Sequence, residues 1–236
     1  MTAPDLRRQD GPHVFVSDLE RPELTDGDRH HLFRSLRLRD GDTLTLSDGQ
    51  GSWRSGLFGA IIEPTGPIYQ VASPAYRVGL GVALTKAAKP EFAVQKATEL
   101  GIDDLVVFET EHSVARWDKA KRSRNEQRLI KVAREAAMQS RRVTIPTVQV
   151  LSDLEPLLAG SGVARADFDG IPMNSQHRLV LIGPEGGWSK RERDMIPDVV
   201  DLGPTVLRAE TAAVVASAFL VTSRDRNGQA ITPTTT

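Results

Sequence analysis

A two-part α/β protein, with a small β domain ahead of a mainly parallel α/β domain, is predicted by three features of this 236-residue chain. Residues 12–72 carry short, partly alternating apolar runs separated by Asp-Gly and Pro-Gly turn signals. After Ser73 and Pro74, strand-like and helix-like periodicities alternate, which is the pattern of a parallel sheet flanked by helices. Hydrophobic residues make up 39% and charged residues 26%, so a chain of this length can bury a real core.

In the first part, residues 13–16, 42–49, 52–62 and 68–72 read as strands of a meander, and a small β-barrel is the economical architecture. The turns fall at Asp40-Gly41, Asp48-Gly49 and the run Pro64, Thr65, Gly66, Pro67. Residues 28–38 form a short helix interrupting the meander. The boundary is placed near residue 74, giving domains of 1–74 and 75–236, with a frayed tail from about residue 227.

In the second part, residues 78–85 read as a buried strand. A helix over 91–100 follows, opened by Pro90 and closed by Gly101. Residues 104–109 are the next strand. A long helix over 119–140 carries Leu129, Val132, Ala133, Ala136, Ala137 and Ser140 on one stripe. Further strands are expected at 143–150, 163–168, 178–183 and 199–203, and an apolar, buried helix at 211–221.

The composition excludes several classes of chemistry. With no cysteine there is no disulfide framework, Cys-based zinc site, iron–sulfur cluster or thiol nucleophile. No G-x-G-x-x-G, P-loop, H-E-x-x-H or G-x-S-x-G motif occurs. His30 and His31 are adjacent and do not share a helical face at metal-ligand spacing, so no metal is expected. The first ten residues lack the apolar run of a secretory signal. Residues 212–221 reach half of the roughly 20 residues a membrane span needs, so a cytoplasmic protein is expected.

Two late loops concentrate the informative residues. The first, Gly183, Pro184, Glu185, Gly186, Gly187 and Trp188, follows an apolar strand, and Ser189 with Glu192 makes a capping box that starts a helix. Gly186 and Gly187 remove side chains where the backbone must turn or admit a ligand. The second loop runs from Leu202 and Gly203 to Leu207, Arg208, Ala209, Glu210 and Thr211, at the start of the apolar helix. Loops at the carboxyl ends of strands are where open α/β sheets bind ligands, and helix-start N–H groups favour an anion. Either loop alone also reads as an ordinary tight turn; the pair, taken as lying on neighbouring strands, indicates a ligand crevice.

The same residues closely resemble the RsmE family of 16S rRNA uridine-N3 methyltransferases, in the SPOUT superfamily. The resemblance also takes in His30, His31 and Leu32, the run from Leu36 to Asp42, Lys96 to Gly101, and Ala136 to Arg141 with Pro146. Thr205 stands where the family usually has Arg, and Ala209 where it usually has Thr. The resemblance implies a PUA-like β-barrel domain before a SPOUT domain whose chain threads a deep trefoil knot, a topology no periodicity predicts. It implies a homodimer that binds S-adenosyl-L-methionine in the knot and acts on 16S rRNA of the small ribosomal subunit, in the decoding region. The cofactor residues it implies are Ile182, Gly183, Glu185, Gly186, Gly187, Leu202, Gly203, Leu207, Arg208, Glu210 and Thr211, with Arg208 and Glu210 as catalytic candidates. A SPOUT 2′-O-ribose methyltransferase and a catalytically idle rRNA-binding assembly factor are the competing readings.

The chemistry fits the composition. Methylation of uracil at C5 normally uses a cysteine, which this chain lacks. Methylation at N3 needs loss of a weakly acidic imide proton, positioning and charge stabilisation. Arg208 is suited to the developing uracil anion, while Glu210 suits either a proton acceptor or a holder of the cofactor amine or helix start. The target base must also be turned out of its RNA fold.

Net charge is −1, yet ten Lys or Arg against three acids lie between His112 and Arg142, and Arg29 to Arg39 holds four arginines, two histidines and no acid. Such runs are often only solvated helix faces; two of them in a near-neutral chain mark a phosphate-facing surface. The RNA-binding candidates are His30, His31, Arg34, Arg37, Arg39, Lys86, Lys89, Lys96, Arg134, Gln139, Arg141 and Arg142. Of the two histidines, one is expected to be buried or capping and the other RNA-facing. Trp117 and Trp188 are candidates to stack on RNA or to pack inside.

Overall fold

A computed structural model describes residues 4–84, 90–113 and 116–229. The chain divides into two compact units: Met1–Ser73 with Arg134–Ile145, and Pro74–Ala133 with Pro146–Thr236.

The first unit is a four-stranded sheet of β1 (His13–Phe15), β2 (Thr43–Ser47), β3 (Ser52–Leu57) and β4 (Glu63–Gln70), with β1 parallel to β2 and the others antiparallel. Between β1 and β2 comes α1 (Asp26–His30), capped by the Thr25 hydroxyl, which accepts from the Asp28 N–H at 3.1 Å. It continues as a π-helical turn over His31–Ser35. The run from Pro64 to Pro67, expected as a turn, lies inside β4 instead. The extra residues are absorbed by a bulge, because Ser55 faces Thr65 while Trp53 faces Tyr69. The unit's core is Val14, Leu32, Leu44, Leu46, Phe58 and Ile62, joined by Met138.

Met138 belongs to the long helix, whose last turns, expected with the second domain, group with the first unit through residues 134–145. Side chains explain the assignment. The Arg134 guanidinium donates to both Asp28 carboxylate oxygens, at 2.9 and 2.7 Å. Burial works against a charged Asp28, but the hydrogen bonds from Arg134 and Thr25 outweigh it and hold the carboxyl below its usual range. His13 bridges Thr45 Oγ1 and the Arg142 carbonyl, each at 2.9 Å. The Ser47 hydroxyl also contacts the Val143 carbonyl at 3.1 Å. An apolar stripe continuing through Ala136 and Ala137 does not reveal that its last turns change partner.

The second unit is a six-stranded, all-parallel sheet in the order β10-β8-β9-β5-β6-β7. The strands are β5 (Gly79–Ala83), β6 (Asp104–Phe108), β7 (Thr147–Leu151), β8 (Val163–Pro172), β9 (Leu179–Ile182) and β10 (Val199–Asp201). Alternate residues serve two cores, as a pleated strand requires. Leu80, Val82, Leu105, Val107, Val180 and Ile182 face one, packed with α2 (Pro90–Leu100), the first half of α3 (Lys119–Gln139) and α5 (Ala209–Gln229). Ala83, Val106, Phe108 and Leu181 face the other, with Leu154, Trp188 and Ile196. Burial on both faces explains why these strands read as continuous apolar runs. The helix expected to be buried nearly all round is not: Phe219 on α5 is 49% exposed. Among the described residues no helix is long and apolar enough to cross a membrane, and no group of three or more His, Cys, Asp or Glu is placed to hold a metal ion.

His13 makes the first unit sensitive to acid. Burial pushes the imidazole pKa from 6.5 down to about 4, opposed by the hydrogen bond to Arg142 and reinforced by the nearby Arg141 charge. The neutral ring donates from Nε2 to Arg142 and accepts from Thr45 at Nδ1. Between the two pKa values the unfolded chain binds a proton that the folded chain refuses, so this contribution is present above pH 6.5 and is lost as pH falls toward 4. Its full size is on the order of 3 kcal/mol. Urea unfolding of the wild type and His13→Gln at pH 7, 5.5 and 4.5 tests this: the stability gap between them narrows with acid, and a gap independent of pH refutes the assignment.

Candidate active site

The carboxyl ends of β9 and β10, with the middle of β8, border a cleft of about 620 Å³ within the second unit. The loops after β9 and β10 both line it, but they do not come from neighbouring strands as expected. β8 lies between β9 and β10 and supplies part of the wall. Its pairing explains how. Val163–Ala166 pair with β9, and Arg165 pairs with Val199 of β10, yet the next β10 residue, Val200, pairs with Ile171. The intervening segment therefore bulges from β10, exposing Phe168 at 67% and placing Ala166, Asp167 and Phe168 on the cleft.

The β9 loop is held from below. The Trp188 indole is buried, stacks on Phe108 with centroids 6.2 Å apart, and donates from Nε1 to the Ala166 carbonyl at 3.1 Å. It is a packing residue and not a platform for RNA. It also lies against Gly183 so closely that a Cβ there would stand 2.8 Å from the ring. Ser189 caps α4 (Lys190–Met195) through the expected capping box. Its hydroxyl accepts from the Glu192 N–H at 3.2 Å, and the Glu192 carboxylate accepts from the Ser189 N–H at 2.8 Å. The second Glu192 oxygen accepts the Glu111 N–H at 2.8 Å, and the His112 ring donates to the Gly186 and Gly187 carbonyls at 3.1 and 3.0 Å. The segment after β6 thus braces the loop, a role nothing in its sequence spacing signals.

Gly187 and Gly203 sit at φ +70° and +134°, the left-handed region open to glycine, with open space where a side chain would point. Both line the cleft, so backbone can approach a ligand directly. Of the expected cofactor residues, Ile182, Gly183, Glu185, Gly187, Leu202, Gly203, Leu207, Arg208 and Glu210 line it, while Gly186 and Thr211 do not. Trp188 lines it as well, beneath the loop, together with the less expected Thr205, Val206 and Asp201. Asp201 Oδ1 accepts the Gly203 N–H at 2.9 Å and shapes the turn. Among the described residues, the side chains of Glu185, Arg208 and Glu210 make no ion pair with one another or with neighbours.

The basic candidates divide sharply. His30, His31, Arg34, Arg37, Arg39 and Gln139 are exposed. Neither His30 nor His31 is buried; His31 is the C-cap residue of α1, its backbone N–H donating to the Gly27 and Asp28 carbonyls, and the buried histidine of this unit is His13. Arg134 is committed to Asp28, and the Arg141 guanidinium donates to the Leu6 and Gly11 carbonyls. Arg142 contacts Thr144 Oγ1 at 3.4 Å, and Lys96 pairs with Glu99 at 2.9 Å. Lys86 and Lys89 lie outside the described residues. Trp117 packs partly buried against the main core with Lys121 over its ring. On α3, Lys119 and Arg124 are exposed and not in that candidate set.

Fold and cleft define an RNA methyltransferase domain: the family of that description matches residues 72–221, and the RNA methyltransferase PUA domain matches residues 24–59. A ribosomal RNA small subunit methyltransferase E from Mycobacterium tuberculosis is 33% identical over 222 residues, covering 82% of this chain and 83% of that protein. The chain belongs to the RsmE family of ribosomal RNA small subunit methyltransferases. A crystal structure of a probable rRNA-methyltransferase from Porphyromonas gingivalis is 28% identical and aligns with a TM-score of 0.74 over 92% of this chain and 99% of its own. A ribosomal RNA small subunit methyltransferase E from Neisseria gonorrhoeae, bound to S-adenosyl methionine, shares the fold at 21% identity, with a TM-score of 0.74 over 89% of this chain and 97% of its own.

The contact between Trp188 and Gly183 predicts a sensitive position. Gly183→Ala forces the indole or the loop to shift and lowers stability by about 1–3 kcal/mol, as overpacking does. Thermal unfolding and near-ultraviolet circular dichroism read both effects. An alanine variant with unchanged stability and an unchanged tryptophan signal refutes the contact.

Proposed function

We propose that this chain methylates N3 of a uridine in the decoding region of 16S rRNA, using S-adenosylmethionine and acting in the cytoplasm on the assembled small subunit as a homodimer. The observation that carries the reading is the cleft at the carboxyl ends of two parallel strands beside the bulge of a third, with two left-handed glycines in its wall. Its volume of about 620 Å³ suits a small-molecule cofactor. Ile182, Leu202 and Leu207 offer apolar surface for an adenine ring, and the glycine backbone offers peptide groups for its polar edge. Glu185 and Glu210 supply negative charge toward a sulfonium and an amine, and Arg208 supplies positive charge toward a carboxylate or a uracil anion. When bound, S-adenosylmethionine supplies an electrophilic methyl group.

The protein's own task is then positioning and electrostatics. Uracil N3 becomes nucleophilic as its imide proton passes to Glu210 or to water, and the charge spreads to O2 and O4. Arg208, at the mouth of α5 and unpaired among the described residues, is placed to stabilise that charge. The exposed Phe219 supports pairing of two chains through α5, and the C-terminal chain is read as threading a trefoil knot. Exposed Arg34, Arg37, Arg39, Lys119 and Arg124 are the cations available to RNA phosphates.

Small subunits lacking the modification are the substrate for the test, with labelled S-adenosylmethionine and nucleoside mass analysis of the product. The expected product is 3-methyluridine. A ribose-methylated nucleoside makes the chain a 2′-O-methyltransferase, and RNA binding without methyl transfer makes it an assembly factor; either outcome refutes the proposal. Arg208→Ala lowers kcat on the order of 10²–10³-fold, as loss of one charge-stabilising donor does. A loss confined to cofactor affinity reassigns Arg208 to ligand binding.

A further inference from the structure

The first unit carries a second cleft, of about 410 Å³, lined by Asp26, Arg29, His30, Phe33, Asp40 and Phe58 among others. Three features set it apart from ordinary surface. Phe33 is 57% exposed although its neighbour Leu32 is fully buried. Leu32 and Phe33 are adjacent on the π-helical turn over His31–Ser35, so one enters the core while the other faces solvent. The segment from Arg29 to Arg39 holds four arginines and no acid, and the Arg34 guanidinium lies 5.8 Å from the Phe33 ring centroid. Exposed Leu36 and Ile61 extend the apolar surface of the unit.

An exposed aromatic ring beside a guanidinium, on an arginine-rich segment, matches an unstacked nucleobase with its phosphates better than it matches an apolar protein partner. The two carboxylates refine the match. Asp26 and Asp40 line the cleft, and among the described residues neither makes an ion pair or a side-chain hydrogen bond. A carboxylate beside a base accepts N–H donors, and guanine alone presents adjacent imino and amino donors on its Watson–Crick edge. Arg29 is not free for this purpose, because it donates to the Gly59 carbonyl at 2.8 Å and so fixes the cleft wall.

We propose that the cleft beside Phe33 binds an unstacked guanine of single-stranded RNA. Phe33 stacks on the base, Asp26 or Asp40 accepts from its Watson–Crick edge, and Arg34 and Arg37 meet the flanking phosphates. This rests on the chain acting on RNA and adds a recognition subsite remote in sequence from the methyl-transfer cleft. It gives the first unit a way to choose where on the RNA the enzyme docks, beyond charge alone.

Fluorescence anisotropy of the full chain with short labelled RNAs, one of uridines only and one with guanines interspersed, tests it. The wild type binds the guanine-bearing strand more tightly. Phe33→Ala weakens that binding about tenfold, the usual effect of removing one stacking ring, and Phe33→Trp retains it. Asp26→Asn combined with Asp40→Asn removes the guanine preference while leaving binding to the uridine strand. S-adenosylmethionine binding by calorimetry and the urea unfolding transition, both unchanged in every variant, show that the two units remain folded. Wild-type RNA affinity in Phe33→Ala, in an enzyme that still methylates small subunits, overturns the subsite and leaves the RNA substrate standing. A wild type that neither binds RNA nor methylates subunits overturns both.

Discussion

The main cleft of the second unit depends on the packing of one indole against one glycine. Trp188 stacks on Phe108 of β6, donates to Ala166 of β8 and lies beneath Gly183 at the end of β9. Three strands are therefore tied to a single side chain, immediately before the capping box that starts α4. A glycine at 183 is what lets the ring come close enough to make all three contacts. The loop above it is then fixed at both ends, by the indole beneath and by Glu192 and His112 behind. A site that must align a methyl donor with a base to within a fraction of an ångström benefits from a loop held this way.

Charge is distributed by the same logic of commitment. Arginines that look equivalent in sequence have opposite fates. Arg134 and Arg141 spend their donors on Asp28 and on the carbonyls of the N-terminal segment, and Arg224 forms a buried pair with Asp103 at 2.7 Å. Removing one member of such a pair leaves an uncompensated buried charge, which costs about 3–5 kcal/mol. These residues therefore serve the fold. The exposed cations of the Arg29–Arg39 segment and the first turns of α3 cost little to leave unpaired in water, and they supply the long-range attraction a phosphate backbone needs.

This division marks how far the sequence could be read. The six strands and four α-helices of the second unit were legible in place, though not in length for β8 and α5, because parallel strands buried on both faces give continuous apolar runs and the helices keep a 3.6-residue stripe; the short 3-10 turn Glu155–Ala159 was not. The capping box at Ser189 and Glu192 and the glycine loops were legible for local reasons, since caps and left-handed turns are short-range chemistry. The part that β8 plays was not. Its bulge is a mismatch of register with β10, and register between strands far apart in sequence leaves no local mark. The partners of Arg134 and Arg141 lie more than 100 residues away, so their basic run gave no sign that it closes the first unit. That α1 ends at His31, its C-cap residue, and passes into a π-helical turn is likewise a local backbone choice that no apolar stripe records.

The unpaired charges of the main cleft complete the argument from stability to function. Glu185, Arg208 and Glu210 stand in one concavity without neutralising each other, beside the apolar Leu202, Val206 and Leu207. Folding gains nothing from that arrangement, and a fold built only for stability would pair or remove such groups. It becomes favourable when a ligand bearing both charges and an apolar ring occupies the space. S-adenosylmethionine has a sulfonium, an amine, a carboxylate and an adenine. With no cysteine available for covalent activation of the base, the reaction is left to geometry and electrostatics. On the proposed reading, catalysis therefore turns on the loop held above Trp188 rather than on any single nucleophile.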